Sequence, residues 1–186
     1  DPYLEFSGSI WLIHFWLCFN DCEMTAYRYF FNIFNGEYFE KQILLAYMTD
    51  DIARFVGRDT SFNSSTLQKD IDTFLNTYTQ KVSLKVASEE QFNSPLAEIN
   101  LIKDNGKGYF LSDLNDKKDL PIEIFVYSLI RFVSKQAKYS KQNRVSFNSL
   151  LEEPYSPGRI FRLSEQGLRA KLDEAQSYTS SKVSWI

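Results

Sequence analysis

Two neighbouring segments near the N-terminus constrain the fold most, because each is apolar enough to predict a buried helix. Residues 9–20 form the first, and residues 25–34 form the second, which carries apolar side chains nearly all round. A helix of that kind has little polar surface to turn toward water, so it is expected inside a bundle. Asn35-Gly36 ends the second helix, and a third follows with Phe39 and Ile43 among its apolar positions.

A fourth helix and a β-hairpin come next. Ser65-Thr66-Leu67-Gln68 has the form of a capping box. The helix that it opens has one apolar stripe, formed by Leu67, Ile71, Phe74, Leu75 and Tyr78. Residues 99–103 and 109–111 alternate or run apolar on either side of the turn sequence 104–108, which indicates a hairpin. Helices followed by a hairpin are the order of a winged helix-turn-helix.

The second half of the chain predicts a similar plan. Pro121 starts a helix that runs to about Gln136, and residues 183–186 predict a closing strand. Three serines are placed to cap short helices: Ser146, Ser156 and Ser164. The predicted fold is therefore mainly α with short β-hairpins, a helical bundle containing one or two winged helix-turn-helix-like units. The predicted regions are 1–119 and 120–186.

Composition narrows the class of protein. The chain has 186 residues, of which 44% are apolar, so it can build a real core. Its longest apolar run, Ile10–Phe19, is too short to span a membrane. Cys18 and Cys22 are spaced i and i+4 on a helix, which does not suit a disulfide, so a reducing, cytoplasmic setting is expected. The start at Asp1-Pro2 is interpreted as a boundary rather than a natural N-terminus.

A cationic section stands out in a chain whose net charge is −3. Residues 131–171 carry nine Lys or Arg and three acids. Within it, the prolines and glycine of Glu153–Leu163 predict a rigid corner that presents Arg159 and Arg162. A local cationic face suggests a phosphate-bearing partner. Two alternatives stay open: the arginines cap helix carbonyls or pair with nearby glutamates, or the section docks an acidic protein or a second copy of the chain.

The candidate DNA-binding residues fall in both halves of the chain. The basic section contributes Arg144, Lys141, Arg159 and Arg162. The predicted winged-helix segment contributes Gln68 and Lys69 on its last helix and Lys107 at the hairpin tip. Surface solvation explains the residues of this second group about equally well.

Catalytic and metal sites are not evident from the sequence. Asp70 and Asp72 lie two residues apart on a helix, so they point away from each other and cannot share a metal unaided. His14, Cys18 and Cys22 could line one helix face, but a structural zinc site normally needs a fourth ligand. A buried histidine and two small apolar thiols are the favoured interpretation.

Six motifs occur in an order that resembles a known family. They are Trp11–His14, Tyr29–Phe34, Ser65–Leu75, Ser94–Glu98, Pro121–Phe125 and Ser156–Phe161. Together they resemble the bacterial domain-of-unknown-function family 4007 over nearly the whole chain. Members of that family begin with an additional N-terminal region, so nothing that resides there is carried over. Cys18 and Cys22 have no counterpart in the family pattern.

The resemblance implies a role in bacterial DNA phosphorothioation, in which sulfur replaces a backbone oxygen as part of defence against phage. One branch is similar to the DNA-nicking component of the single-stranded system, which implies a Mg²⁺-dependent nickase. The alternative is a non-catalytic scaffold or regulator. The implied partners are DNA, the cysteine desulfurase and the ATP-dependent sulfur-transfer components, with self-association as a further expectation.

Overall fold

The computed structural model describes residues 7–19, 25–56, 64–79, 94–140, 144–180 and 182–185. The helices are α1 (Ser7–Phe19), α2 (Ala26–Asn32), α3 (Lys41–Val56), α4 (Ser64–Tyr78), α5 (Ile122–Ser140), α6 (Phe147–Glu152), α7 (Pro157–Ile160) and α8 (Glu165–Tyr178), with one 3-10 turn at Pro95–Ala97. The strands are β1 (Tyr38–Glu40), β2 (Ile102–Asp104) and β3 (Tyr109–Ser112). No helix in the described ranges is both long and apolar enough to cross a membrane.

The described residues are mostly helical, which confirms the predicted mainly α class. The strands form one antiparallel sheet in the order β1-β3-β2, and the predicted hairpin is its β2-β3 pair. In β1, Phe39 lies opposite Phe110. Phe39 was predicted to lie in the third helix, and that prediction is wrong. A three-residue strand is too short to show an alternating pattern, and Phe39 also fits the apolar spacing of α3.

Contacts divide the chain into two compact units. Unit 1 contains Asp1–Asp21, Phe31–Ile33 and Leu114–Ile186, and unit 2 contains Cys22–Phe30 and Phe34–Asp113. This division differs from the predicted regions 1–119 and 120–186, because α1 falls with the C-terminal helices rather than with α3 and α4. Each unit is therefore assembled from segments that are distant in sequence.

Aromatic side chains fill the core of unit 1. Trp11 and Phe15 of α1 are buried, and their ring centroids lie 5.8 and 6.4 Å from that of Phe161. α5 contributes Phe125 and Phe132, which are also buried. Rings at these separations combine large apolar burial with favourable edge and stacking contacts. The prediction of a buried first helix is confirmed for this side of α1.

Unit 2 has a second aromatic core between its helices and the sheet. The ring centroid of Phe30 lies 5.0 Å from Phe74 of α4, 5.2 Å from Phe39 of β1 and 5.5 Å from Phe34. All four rings are buried. Phe30 therefore joins α2, α4 and the sheet into one core, which fixes how α4 is oriented within unit 2.

Local capping sets the ends of the C-terminal helices. The predicted caps are confirmed, because each serine hydroxyl accepts a hydrogen bond from the backbone N–H three residues later, at Ser146, Ser156 and Ser164. The predicted closing strand at 183–186 is wrong for its described residues, 183–185, which form no strand. Instead, Trp185 Nε1 donates to Asp173 Oδ1 of α8 at 3.1 Å.

Candidate nucleic-acid interface

The segment Glu153–Leu163 folds as a tight corner between α6 and α8, as its prolines and glycine predict. Pro157 begins α7, where a missing backbone N–H costs no helical hydrogen bond. Gly158 packs against the backbone of α6, since a Cβ there would lie 2.7 Å from Leu150 O and Leu151 Cα. The glycine is therefore needed for close packing of the two short helices.

Asn32, near the end of α2, ties this corner to α1. Its Oδ1 accepts a hydrogen bond from Tyr155 N at 2.7 Å, and its Nδ2 donates to Cys18 O at 2.9 Å. Tyr155 has a φ of 69°, a left-handed conformation that carries strain outside glycine. The hydrogen bond from its N–H helps to hold it there. This role of Asn32 was not predicted from the sequence, although an amide inside an otherwise apolar helix was the available signal.

The two arginines of the corner are drawn into the fold. Arg159 is half-buried, and its Nε donates to Asn32 O at 3.1 Å. Arg162 is only 5% exposed, with its guanidinium carbon 5.4 Å from the centre of the Phe31 ring. Burial, reinforced by the charge of Arg159, lowers the pKa of Arg162 to about 9. The predicted phosphate contact stays a prediction, and for Arg162 it would require the side chain to leave this position.

The other cations of the basic section occupy different environments. Arg144 is exposed, and Lys141 lies outside the described residues. Arg169 donates to Glu165 Oε1 at 2.8 Å on the surface of α8. Lys171 is buried and donates to a backbone carbonyl at 2.6 Å. Some cations of the basic section therefore form bonds within the protein. This weakens the sequence-based prediction of a continuous cationic surface there.

Helix α4 of unit 2 has two contrasting faces. Its inner face carries the predicted apolar stripe, which is buried throughout: Leu67, Ile71, Phe74, Leu75 and Tyr78. Gln68 and Lys69 are exposed, and Thr73 and Asn76 extend the exposed surface one and two turns further. Gln68, Thr73 and Asn76 can donate and accept hydrogen bonds, and Lys69 can donate. The outer face of α4 is therefore a polar surface of the type that can contact DNA.

The two acids of α4 have structural partners. Asp70 Oδ2 accepts a hydrogen bond from Ala26 N at 2.7 Å, at the start of α2, where the helix dipole favours a carboxylate. Burial raises the pKa of Asp70, while the bond from Ala26 N–H opposes that rise. Asp72 forms an ion pair with Lys41. Among the described residues, no group of three or more His, Cys, Asp or Glu side chains could hold a metal ion.

The hairpin tip is shaped by its own side chains. Asp104 Oδ1 accepts from Gly106 N at 2.8 Å, and Asn105 Oδ1 accepts from Lys107 N at 2.9 Å. Gly106 and Gly108 have φ of 73° and 83°, which glycine adopts without strain. The tip leaves Lys107 exposed. A cation is thus presented at the end of a short hairpin in the same unit as α4.

His14 is a structural histidine in unit 1. Its Nε2 donates to Ile160 O at 2.8 Å, so Nδ1 carries no proton and can accept from Cys18 Sγ at 3.7 Å. Burial lowers the pKa of His14 to about 3. The predicted buried histidine is confirmed. Cys22, the third residue of the zinc hypothesis, lies outside the described residues.

The whole sequence, residues 1–186, matches the family described as "Protein of unknown function (DUF4007)". The chain belongs to the DUF4007 family. This confirms the family resemblance inferred from the ordered motifs. A comparison of the DUF4007 chain with curated proteins gave no match.

Two solved structures resemble the DUF4007 chain, "SspB crystal structure" and "Magnesium ion-bound SspB crystal structure". Each is 22% identical to it, with a TM-score of 0.75, and the alignment covers 97% of this chain and 53% of the SspB chain. At that identity the likeness shows a shared fold. The DUF4007 chain spans about half the length of these relatives.

Proposed function

We propose that this protein is a DNA-binding component of a bacterial DNA phosphorothioate modification system, and that it contacts duplex DNA through the outer face of α4 and the β2-β3 hairpin. The observation that carries the proposal is the topology of unit 2. A helix, a strand, two helices and a hairpin follow one another, and the sheet order is β1-β3-β2. This order supports the interpretation of unit 2 as a winged helix, with α4 as the recognition helix and the hairpin as the wing.

The exposed side chains fit those two roles. On α4, Gln68 and Asn76 can exchange hydrogen bonds with base edges, while Lys69 can contact a phosphate. At the wing tip, Lys107 is placed for a second phosphate contact. The chain carries a net charge of −3, so few phosphate contacts and a modest salt dependence are expected.

The family supplies the biological setting of the proposal. The resemblance implies DNA phosphorothioation, with the cysteine desulfurase and the sulfur-transfer components as partners, and the fold is shared with SspB. One of the SspB structures is described as bound to a magnesium ion. The described residues of this chain do not provide a cluster that fits a metal, so no step of a nicking reaction is assigned to them.

DNA binding is tested with a double variant, Lys69→Ala with Lys107→Ala. A labelled DNA duplex is titrated at several salt concentrations and followed by fluorescence anisotropy. Removing two phosphate contacts should lower the affinity for every sequence and reduce the slope of log K against log[salt] by about 2. Lys118→Ala, which removes an exposed lysine of unit 1, is the matched control. An unchanged slope in the folded double variant would refute the proposed surface.

Nicking and scaffolding are separated with supercoiled plasmid. Relaxed circular product that forms with Mg²⁺ and is suppressed by EDTA would identify a nickase. DNA binding without relaxation would favour the alternative, a scaffold or regulator that recruits the sulfur-transfer enzymes.

A further inference from the structure

Helix α1 has an exposed face without charge. Although Trp11 and Phe15 point into the core, Ile13, Trp16 and Leu17 are 47%, 39% and 38% exposed. The whole of Ser7–Phe19 contains no Asp, Glu, Lys or Arg. A helix that is apolar all round is normally covered on every side. Contiguous exposed apolar side chains of this kind mark an interaction surface.

The helix α5 extends this surface and adds positive charge. The Arg131 guanidinium carbon lies 5.5 Å from the centre of the Trp16 ring, and Lys135 Nζ lies 3.7 Å from that of Tyr155. All of these residues belong to unit 1. The α1-α5 face comprises Ile13, Trp16, Leu17, Arg131 and Lys135.

We propose that the α1-α5 face binds an amphipathic helix of a partner protein, with apolar side chains on its contact face and acidic side chains beside Arg131 and Lys135. Tryptophan and arginine are the residues that most often dominate protein interfaces. The exposed aliphatic side chains Ile13 and Leu17 suit an apolar helix face. They offer a nucleic acid neither a stacking ring nor a hydrogen bond.

The charged residues of α5 predict where the acidic side chains of the bound helix lie. Among the exposed charges on α5, Arg131 lies at one end of the face and Glu123 two turns earlier. An acidic end of the bound helix should therefore lie toward Arg131. In a symmetric dimer a residue at one end of the face contacts the opposite end on the other copy, so a second copy is an alternative occupant that the light-scattering measurement below tests. This binding is separate from DNA contact by α4, which lies in unit 2.

A matched pair of synthetic peptides tests the proposal. Both are labelled 18-residue helices with leucines spaced three and four apart, and one carries glutamates at the flanking positions where the other carries lysines. Binding is followed by fluorescence anisotropy. The glutamate peptide should bind about tenfold more tightly than the lysine peptide. Ile13→Ser should weaken the binding of both peptides.

Charge reversal supplies the sharper test. Arg131→Glu should weaken the glutamate peptide about tenfold and strengthen the lysine peptide. Arg169→Glu is the matched control, because Arg169 is also an exposed arginine over aromatic rings, Phe147 and Trp185, but lies on α8. It should leave both affinities unchanged. Circular dichroism checks that each variant folds. If Ile13→Ser does not fold, the peptide affinities of Arg131→Glu, a substitution at an exposed position, test the proposal.

Three results would overturn the proposal. Equal or absent binding of the two peptides would exclude an acidic amphipathic partner. A dimer in light scattering that is lost in Ile13→Ser would identify a second copy as the occupant. Displacement of the glutamate peptide by a single-stranded oligonucleotide, with loss of oligonucleotide binding in Trp16→Ala, would assign the face to nucleic acid.

Discussion

The acid sensitivity of folding should depend on His14, the single histidine of the chain. In the folded state burial lowers the pKa of His14 to about 3, whereas in the unfolded state it returns to the ordinary 6.5. Between these values the unfolded chain binds a proton that the folded chain excludes. The contribution of the neutral, buried His14 to the free energy of unfolding is therefore fully present above pH 6.5, and it is lost progressively as the pH falls toward 3.

The size of the effect follows from linkage. Each pKa unit corresponds to about 1.4 kcal/mol. With the two pKa values above, the loss between pH 7 and pH 4.5 amounts to about 2.5 kcal/mol of unfolding free energy. That is a substantial fraction of the roughly 5–15 kcal/mol that stabilises a typical domain.

His14→Gln isolates this contribution. A glutamine amide can still donate to Ile160 O but does not titrate, so the variant keeps the buried hydrogen bond without the proton linkage. Urea unfolding at a series of pH values is followed by circular dichroism for both proteins. The carboxylates contribute equally to each, so the difference between the two curves reports His14. Parallel stability curves from pH 7 to pH 4.5 would refute the reasoning.

Two further predictions concern the corner at 153–163. Asn32→Ala removes the buried hydrogen bonds to Tyr155 N and Cys18 O, which should cost roughly 2–6 kcal/mol in urea unfolding, at about 1–3 kcal/mol for each of the two groups left without its bond. The exposed Asn148→Ala should stay within about 0.5 kcal/mol of the wild type, and equal values for the two variants would contradict the tying role of Asn32. Gly158→Ala places a Cβ 2.7 Å from the α6 backbone, so thermal unfolding should show a loss of about 1–3 kcal/mol, and an unchanged midpoint would contradict that packing.

Local features of the sequence were enough to predict much of the fold. The caps at Ser146, Ser156 and Ser164 depend on a hydroxyl and a backbone N–H three residues apart, so the sequence contains the whole interaction. The two faces of α4 follow from spacing alone in the same way. By contrast, β1 exists because Tyr38–Glu40 pairs with Tyr109–Leu111, some seventy residues later in the chain. No local pattern contains that information.

The candidate site shows the same limit. Whether an arginine is exposed depends on what packs over it, and the Nε of Arg159 bonds to a carbonyl of Asn32, 127 residues away in sequence. The corner itself was predictable from its prolines and glycine, but the burial of Arg162 was not. Asp70 is a similar case, because the backbone N–H that it accepts from belongs to α2, 44 residues earlier.

Because each unit combines segments that are distant in sequence, a simple truncation of the chain does not yield a complete unit. A fragment that begins at residue 114 retains Phe161 but lacks Trp11 and Phe15, the rings that cover it. Such a fragment would expose an aromatic surface and tend to aggregate. Adding α1 back as a separate peptide offers a route to a split version of the protein, whose reassembly would report directly on how strongly that helix is held.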